Sequence, residues 1–412
     1  MVDVAIIADD LTGAADSGVQ LVRAAYRTAV LFLGASEPSE EVDAVVVDAN
    51  SRTLAPHNAR ERVFEVTRGF RDARIVYKKL DSTLRGPVAA ELEAALEATG
   101  RAQAVVAPAF PNNGRTTREG VQLVNCTPID KTDLADDPLT PVREAHIPSV
   151  LAAGGLENIF TLSTSELSDH GMVRRVLEDV RWLVADADSD AHLKTLVEAV
   201  PDPSEVLWAG SAGLVRAIGE VYPGPRTKGS LVAPPPACCN AIVVVGSANE
   251  VTREQVRRLA SEPKVVPVPL DSLAAAAEFG NAVGKALAAA RTALNEGQSI
   301  VLHSTVNEER RTNHAKCVVD ALAEVVAVLA DEGLFDGLVL TGGDTAVSVS
   351  RRLEANGILL EDEVEPGMPV GTLIGPRSYR VVTKAGGFGS SDALLHALHA
   401  LGIFGGSERT HT

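Results

Sequence analysis

The chain has 412 residues, of which 45% are hydrophobic, 23% charged and only 4% aromatic. That is apolar enough for two cores filled mainly by Ala, Val and Leu, and too apolar for a disordered chain. The formal charge of −17 sets the surface against nucleic-acid phosphates and anionic membranes, so the expected partners are small molecules, with a homo-oligomer left open.

Val4–Ala8, Val45–Asp48, Ile75–Lys79 and Ala104–Pro108 read as buried strands, with Thr12–Tyr26, His57–Phe70 and Pro87–Ala98 as the helices between them. Continuous apolar strands alternating with helices predict α/β units on a parallel sheet. Residues 111–170, rich in Pro, Asn, Asp and Thr, predict an excursion made of loops, and alternation returns at Trp182–Asp186 and Glu205–Ala209. Tyr222–Ala237 holds Pro223, Pro225, Pro234, Pro235 and Pro236 and predicts a stiff linker. It divides the chain into domains over 1–229 and 230–412. The second domain continues with strands Ala241–Val245, Ser299–His303 and Leu338–Leu340, a helix over Val318–Ala330, and strand and turn character across Glu354–Pro376. The predicted fold class is α/β: two domains, each with a mainly parallel or mixed sheet flanked by helices.

Cys126, Cys238, Cys239 and Cys317 form no C-x-x-C pair and read as free thiols of a reducing compartment. The N-terminus has no basic n-region, and no apolar run approaches the roughly 18 residues of a membrane span. The expected location is the cytoplasm.

Three strand ends in the first half carry polar chemistry. Ile6-Ile7-Ala8-Asp9-Asp10-Leu11-Thr12-Gly13-Ala14 delivers two carboxylates between a strand and a helix, where open α/β sheets bind ligands. Strand alternation predicts that the two Asp side chains diverge, one toward a ligand and the other capping the helix or orienting its neighbour; a plain N-cap at Asp10 or Thr12 is the alternative. Lys78-Lys79-Leu80-Asp81-Ser82-Thr83-Leu84-Arg85-Gly86 combines cations, hydroxyls and a helix start, which suits an anion, while Asp81 suits a hydroxyl; a solvated cap is the alternative. Arg52 follows another strand on the same expected rim. Ala109-Phe110-Pro111-Asn112-Asn113-Gly114-Arg115-Thr116-Thr117 is either a donor-rich site segment or a polar turn.

The second half has three glycine-rich turns after strands: Gly246-Ser247-Ala248-Asn249, Thr341-Gly342-Gly343-Asp344-Thr345 and Thr383-Lys384-Ala385-Gly386-Gly387-Phe388-Gly389-Ser390. Glycines let backbone N–H groups approach phosphates, and the helix dipole favours the negative charge, so three such turns favour a nucleotide site. Gly280–Ala286 mimics a P-loop but is one residue short and lies in an Ala-rich helical stretch, so it is rejected. Gly210-Ser211-Ala212-Gly213 suits either a site or a packing turn. The histidines are scattered, and no metal ligands stand out.

In order and spacing, these segments resemble the four-carbon acid sugar kinase family over nearly the whole chain. The resemblance implies an N-terminal acid-sugar domain, a C-terminal nucleotide domain and an active site in the interdomain cleft. It implies ATP-dependent phosphorylation of the terminal hydroxyl of an acid such as threonate, erythronate or 3-oxo-tetronate, with Mg²⁺ screening the phosphates. By motif match, Asp10, Arg52, Lys79, Leu80, Asp81 and Ser82 carry over as sugar-acid contacts, and Ser247, Gly342, Gly343, Asp344, Thr345 and Gly387 as ATP contacts. Arg52 and Lys79 would then pair with the substrate carboxylate, and the hydroxyl would approach Asp9 or Asp10 as base or orienting group. Leu80 and Asn125-Cys126 depart from the family's commoner residues. A kinase for a longer sugar acid, an ATP-dependent ligase and a non-catalytic sensor are the alternatives; the three glycine turns count against the sensor.

Overall fold

The structure, a computed structural model, describes residues 2–35, 41–137, 139–226, 236–246, 249–305 and 315–404. Contacts divide the chain into an N-terminal unit, Met1–Gly34 with Ser39–Lys228, and a C-terminal unit, Ala35–Pro38 with Gly229–Thr412. Most of the proline-rich segment and the polar tail lie outside the described residues.

In chain order the N-terminal unit runs β1 (Val4–Ala8), α1 (Leu11–Arg23), β2 (Thr28–Leu31), β3 (Ala44–Asp48), α2 (Pro56–Arg68), β4 (Ile75–Lys79), α3 (Val88–Thr99) and β5 (Gln103–Ala107). There follow β6 (Arg115–Arg118), β7 (Val121–Val124), β8 (Thr127–Pro128), α4 (Ile147–Ala153), β9 (Ile159–Leu162), α5 (His170–Asp179), β10 (Trp182–Ala185), α6 (Asp190–Ala199), β11 (Val206–Gly210) and α7 (Ala212–Val221). The main sheet is parallel throughout, in the order β2-β3-β1-β4-β11-β5-β10-β9. After β1 the chain fills one side of the sheet with β2 and β3, then crosses to β4 on the other. β1 is therefore a topological switch point, where loops part and leave a crevice at the strand C-termini. β1, β3, β4 and β11 are covered on both faces and buried along their whole length, including the charged residues that end β3 and β4. Ile7, Val76, Leu92, Val106 and Leu207 meet in the core.

Residues 111–170 are more ordered than their composition suggests. β6, β7 and β8 form a small antiparallel sheet, and α4 leads into β9, the edge strand of the main sheet. β9 is only partly buried, so it needs no apolar run to announce it. Asn125 and Cys126, at φ 48° and 68°, make the two-residue turn between β7 and β8, a left-handed conformation that Asn tolerates better than most residues.

The C-terminal unit runs β12 (Ala241–Val245), α8 (Glu250–Leu259), β13 (Val265–Asp271), α9 (Ser272–Ala277), α10 (Phe279–Asn295), β14 (Ser299–Thr305), α11 (Ala315–Asp331), β15 (Gly337–Thr341), α12 (Gly343–Arg352), β16 (Gly357–Glu363), β17 (Pro369–Ile374), β18 (Arg380–Lys384) and α13 (Ala393–Ala400). Its strands follow the order β13-β14-β12-β15-β18-β17-β16, parallel as far as β18 and antiparallel beyond. β13 was not expected from the sequence. It carries Pro267 and Pro269, which deprive it of ladder donors and suit it to the edge it occupies. The P-loop look-alike is helical, lying in the N-terminal half of α10.

Candidate active site

In the N-terminal unit the loops after β1, β3 and β4 converge. The amides of Ser51 and Arg52 donate to the Asp9 carbonyl at 2.9 and 3.2 Å, docking the β3 loop against the β1 loop. Arg52 then bridges the two aspartates: Nε donates to Asp9 Oδ2 at 2.7 Å, and Nη1 and Nη2 donate to Asp10 Oδ2 and Oδ1 at 2.7 and 2.8 Å. Asp81 Oδ1 lies 3.7 Å from Nη2. The divergence expected for Asp9 and Asp10 is corrected here. Both acids lie beyond the last residue of β1, where alternation no longer holds, and one planar guanidinium is wide enough to engage both. Asp10 also caps α1 by accepting the Gly13 amide at 2.8 Å, so the cap and the ion pair are one arrangement.

Gly13 is required by this crowding. A Cβ there would stand 2.7 Å from Asp10 Oδ1 and 2.8 Å from Lys79 Nζ. The Lys79 ammonium thus sits beside the start of α1, where it donates to the Leu80 carbonyl at 2.8 Å. Leu80 itself packs in the core, and its amide donates to Gly210 O at 2.7 Å, so a ligand contact through its side chain is not what the fold provides. Asp81 is held by Arg85 Nε at 2.8 Å and Nη2 at 3.1 Å, and by the Thr83 hydroxyl. The Ser82 carbonyl accepts from buried Gln122 of β7 at 2.7 Å, which fastens the small antiparallel sheet to this loop.

The electrostatics separate the carboxyls. Burial works to raise Asp9, but Arg52, Lys78 and Lys79 outweigh it and hold it below the ordinary carboxylate range. Burial, and then the neighbouring Asp9 charge, push Asp10 up against the pull of Arg52. Burial also opposes ionisation of Asp81, yet Arg85 and Arg52 keep it well below its usual value. The Asp9 side chain is 1% exposed and that of Asp10 27%. Lys78, near the end of β4, and two groups that local pattern did not single out, Glu91 and Asp48, complete the cluster. Lys78, fully buried, pairs with Glu91 of α3 at 3.1 Å and donates to Lys79 O at 2.8 Å. Glu91 also accepts from Ser51. Asp48, at the end of β3, accepts the Asn50 amide at 2.8 Å, and burial pushes it up to about 7 with help from Asp10 and Asp9.

In the C-terminal unit the three glycine turns meet because β12, β15 and β18 are successive neighbours in the sheet. Ser247 lies outside the described residues, but Gly246 is in place, and a Cβ on it would collide with Thr345 Oγ1. Gly342 stands at φ 97°, a left-handed conformation at the entry to α12, and its amide donates to Lys384 O at 2.8 Å. Gly343 and Asp344 are exposed in the first turn of α12, and Thr345 is buried beneath them. Gly387 is exposed, 3.5 Å in Cβ terms from Asn249 Nδ2. By contrast, Gly210–Gly213 is a packing turn: Ser211 is buried and donates to Ala109 O at 2.9 Å.

A family model described as a sugar-binding N-terminal domain matches residues 4–218, and one described as a nucleotide-binding C-terminal domain matches residues 242–394. A D-threonate kinase of Bordetella bronchiseptica is 36% identical over 97% of each chain. The chain belongs to the four-carbon acid sugar kinase family. A D-erythronate kinase of Heliobacterium modesticaldum is 31% identical over 95% of each chain. A solved Salmonella typhimurium chain shares the fold, with a TM-score of 0.82 at 22% identity over 96% of this chain and 99% of that one. This chain is accordingly a phosphotransferase.

The fold brings together, within one unit of this kinase, Asp9, Asp10, Arg52, Lys79 and Asp81; within the other it brings together Gly342, Gly343, Asp344, Thr345 and Gly387. Glu91 and Gln122 were not found from sequence because their signal is a partner on another element. The one local hint was Glu91 in the otherwise apolar first turn of α3.

Among the described residues no helix is long and apolar enough to cross a membrane, and the four cysteines are free thiols.

Proposed function

We propose that this kinase transfers the γ-phosphoryl group of ATP to the terminal C4 hydroxyl of a four-carbon sugar acid such as threonate or erythronate. The observation that carries the reading is the Asp9–Asp10–Arg52–Lys79 cluster at the carboxyl ends of β1, β3 and β4, where cations and acids of separated ionisation meet. Arg52 has five N–H donors and spends three on Asp9 and Asp10, so donors remain for a substrate carboxylate beside Lys79 and Ser82. Asp10, the more exposed acid with the raised carboxyl, takes the proton of the hydroxyl as its oxygen attacks the γ-phosphorus and ADP leaves. Asp9 stays anionic and orients Arg52. Phosphoryl transfer depends mainly on positioning and charge neutralisation, which fits a site ordered before substrate binds.

ATP phosphates lie on the amides of the Gly342–Thr345 and Lys384–Gly389 turns in this reading, with Ser247 as a further contact. Among the described residues no group of three or more His, Cys, Asp or Glu is placed to hold a metal ion. The side chains therefore fit Mg²⁺ that arrives on ATP, since such an ion takes most of its ligands from phosphates and water and screens their charge. Asp344 suits a ribose hydroxyl or a metal-bound water.

A coupled ADP-release assay over D-threonate, D-erythronate, 3-oxo-tetronate and five- and six-carbon acids tests the proposal. ADP release with a C4 acid is expected. Turnover only with longer acids, formation of AMP, or no turnover at all would overturn it in favour of the other enzyme classes or of a sensor.

A further inference from the structure

The turn after β18 has its carbonyl groups tied down from one side. Lys384 Nζ donates to Ala385 O at 2.9 Å, Gly386 O at 3.2 Å and Phe388 O at 2.9 Å. From α8, Thr252 Oγ1 also donates to Gly386 O, and Gln255 Nε2 donates to Phe388, Gly389 and Ser390 carbonyls at 3.1, 3.4 and 2.7 Å. All three anchoring side chains are buried, Lys384 to 3% exposure. Among the described residues every peptide bond is trans. In a trans peptide the C=O and the following N–H point in opposite directions. Holding the Ala385 and Gly386 carbonyls toward Lys384 therefore turns the amides of Gly386 and Gly387 away from it, and Gly387 is exposed. A buried ammonium faces the carbonyl ends of these peptides, and their N–H ends face outward, the arrangement of a backbone anion nest. The ammonium also polarises those peptides, which strengthens their N–H groups as donors.

We propose that Lys384 is a positioning residue for the nucleotide's phosphates, acting through the 385–388 peptides with Thr252 and Gln255 as co-anchors. It touches carbonyls where the lysine of a P-loop touches phosphate. This rests on the reading that ATP phosphates lie on this turn.

The test uses the full chain, with ATP and inorganic tripolyphosphate titrated by calorimetry and steady-state kinetics run beside it. Lys384→Met and Thr252→Val are each expected to weaken both ligands about tenfold, the effect of one or two hydrogen bonds. KM for the acid at saturating ATP stays unchanged, and Thr252→Ser, which keeps the hydroxyl, stays near the parent. Should Lys384→Met fail to fold, the Thr252 pair decides alone. Unchanged tripolyphosphate affinity in Thr252→Val overturns the inference, as does a loss that Thr252→Ser does not rescue. A wild-type chain that binds neither ATP nor tripolyphosphate overturns the proposed function, and the inference with it; a wild-type chain that binds both, with unaffected variants, overturns the inference alone.

Discussion

Arg52 separates carboxylates that would otherwise repel one another in a buried place, so its removal should be felt first in stability. Arg52→Ala leaves Asp9 and Asp10 without the guanidinium that bridges them and is expected to cost about 3–5 kcal/mol in urea unfolding, as well as raising KM for the acid. Arg52→Lys keeps the charge but not the fork and should recover only part of either. Exposure distinguishes the two aspartates. Asp10→Asn should lower kcat about 10²–10⁴-fold in the ADP-release assay. If Asp10→Asn keeps near-normal kcat, the base role fails and the pair is structural. Asp48 gives a pH signature. Between its ordinary 3.8 and about 7, the folded carboxyl keeps a proton that the unfolded chain has released. Stability contributed by this group therefore falls as pH rises through that window, by up to about 1.4 kcal/mol per pH unit. Asp48→Asn retains the acceptor for Asn50 and removes the titration. Its urea midpoint should exceed the parent's by more at pH 8 than at pH 4.5; a constant difference would mean that Asp48 ionises normally in the fold.

At the scale of elements, each candidate site is a property of strand order. β12, β15 and β18 are neighbours, so three turns separated widely in sequence share one edge. Gly387 can be changed there without disturbing the empty fold: its φ is not left-handed, and a Cβ would make only an ordinary contact with Asn249. Gly387→Val should keep its melting temperature within a few degrees while ATP binding, measured by calorimetry, weakens about tenfold or more. Parent-like ATP affinity would move the phosphate site toward Gly246 and Ser247. Elements also differ in how plainly the sequence announces them. β1 and β12 are apolar along their whole length because both faces are covered, and β4 is apolar until its closing Lys78 and Lys79. β2 is short, β9 is partly exposed and β13 carries prolines at an edge. β9 and β13 lack the pattern that burial on both faces imposes, and β2, though buried throughout, has only four residues in which to show it.

At the scale of the whole molecule, each set of candidate ligand contacts lies within one unit, which predicts separable binding. In the full chain, Asp10→Asn should bind ATP as the parent does, and Gly387→Val should bind the sugar acid as the parent does. Calorimetric titration of each variant with the other ligand checks this, and a cross-effect of tenfold or more would contradict the division of labour.

What the sequence determined by itself was chemistry attached to strand ends: two acids after β1, the Lys79–Ser82 run after β4 and glycines after β12, β15 and β18. These are legible because strand periodicity, glycine turns and caps are local, acting over a few residues. What only the tertiary structure decided was who partners whom. Arg52 reaches Asp10 across 42 positions, Ser51 reaches Glu91 across 40, and Thr252 reaches Gly386 across 134. Those distances along the chain are closed by the order of strands in each sheet. That order is set by how buried faces pack against one another rather than by any pattern within a single segment, so Arg52 could be read beforehand as a cation on the rim but not as the clamp between Asp9 and Asp10.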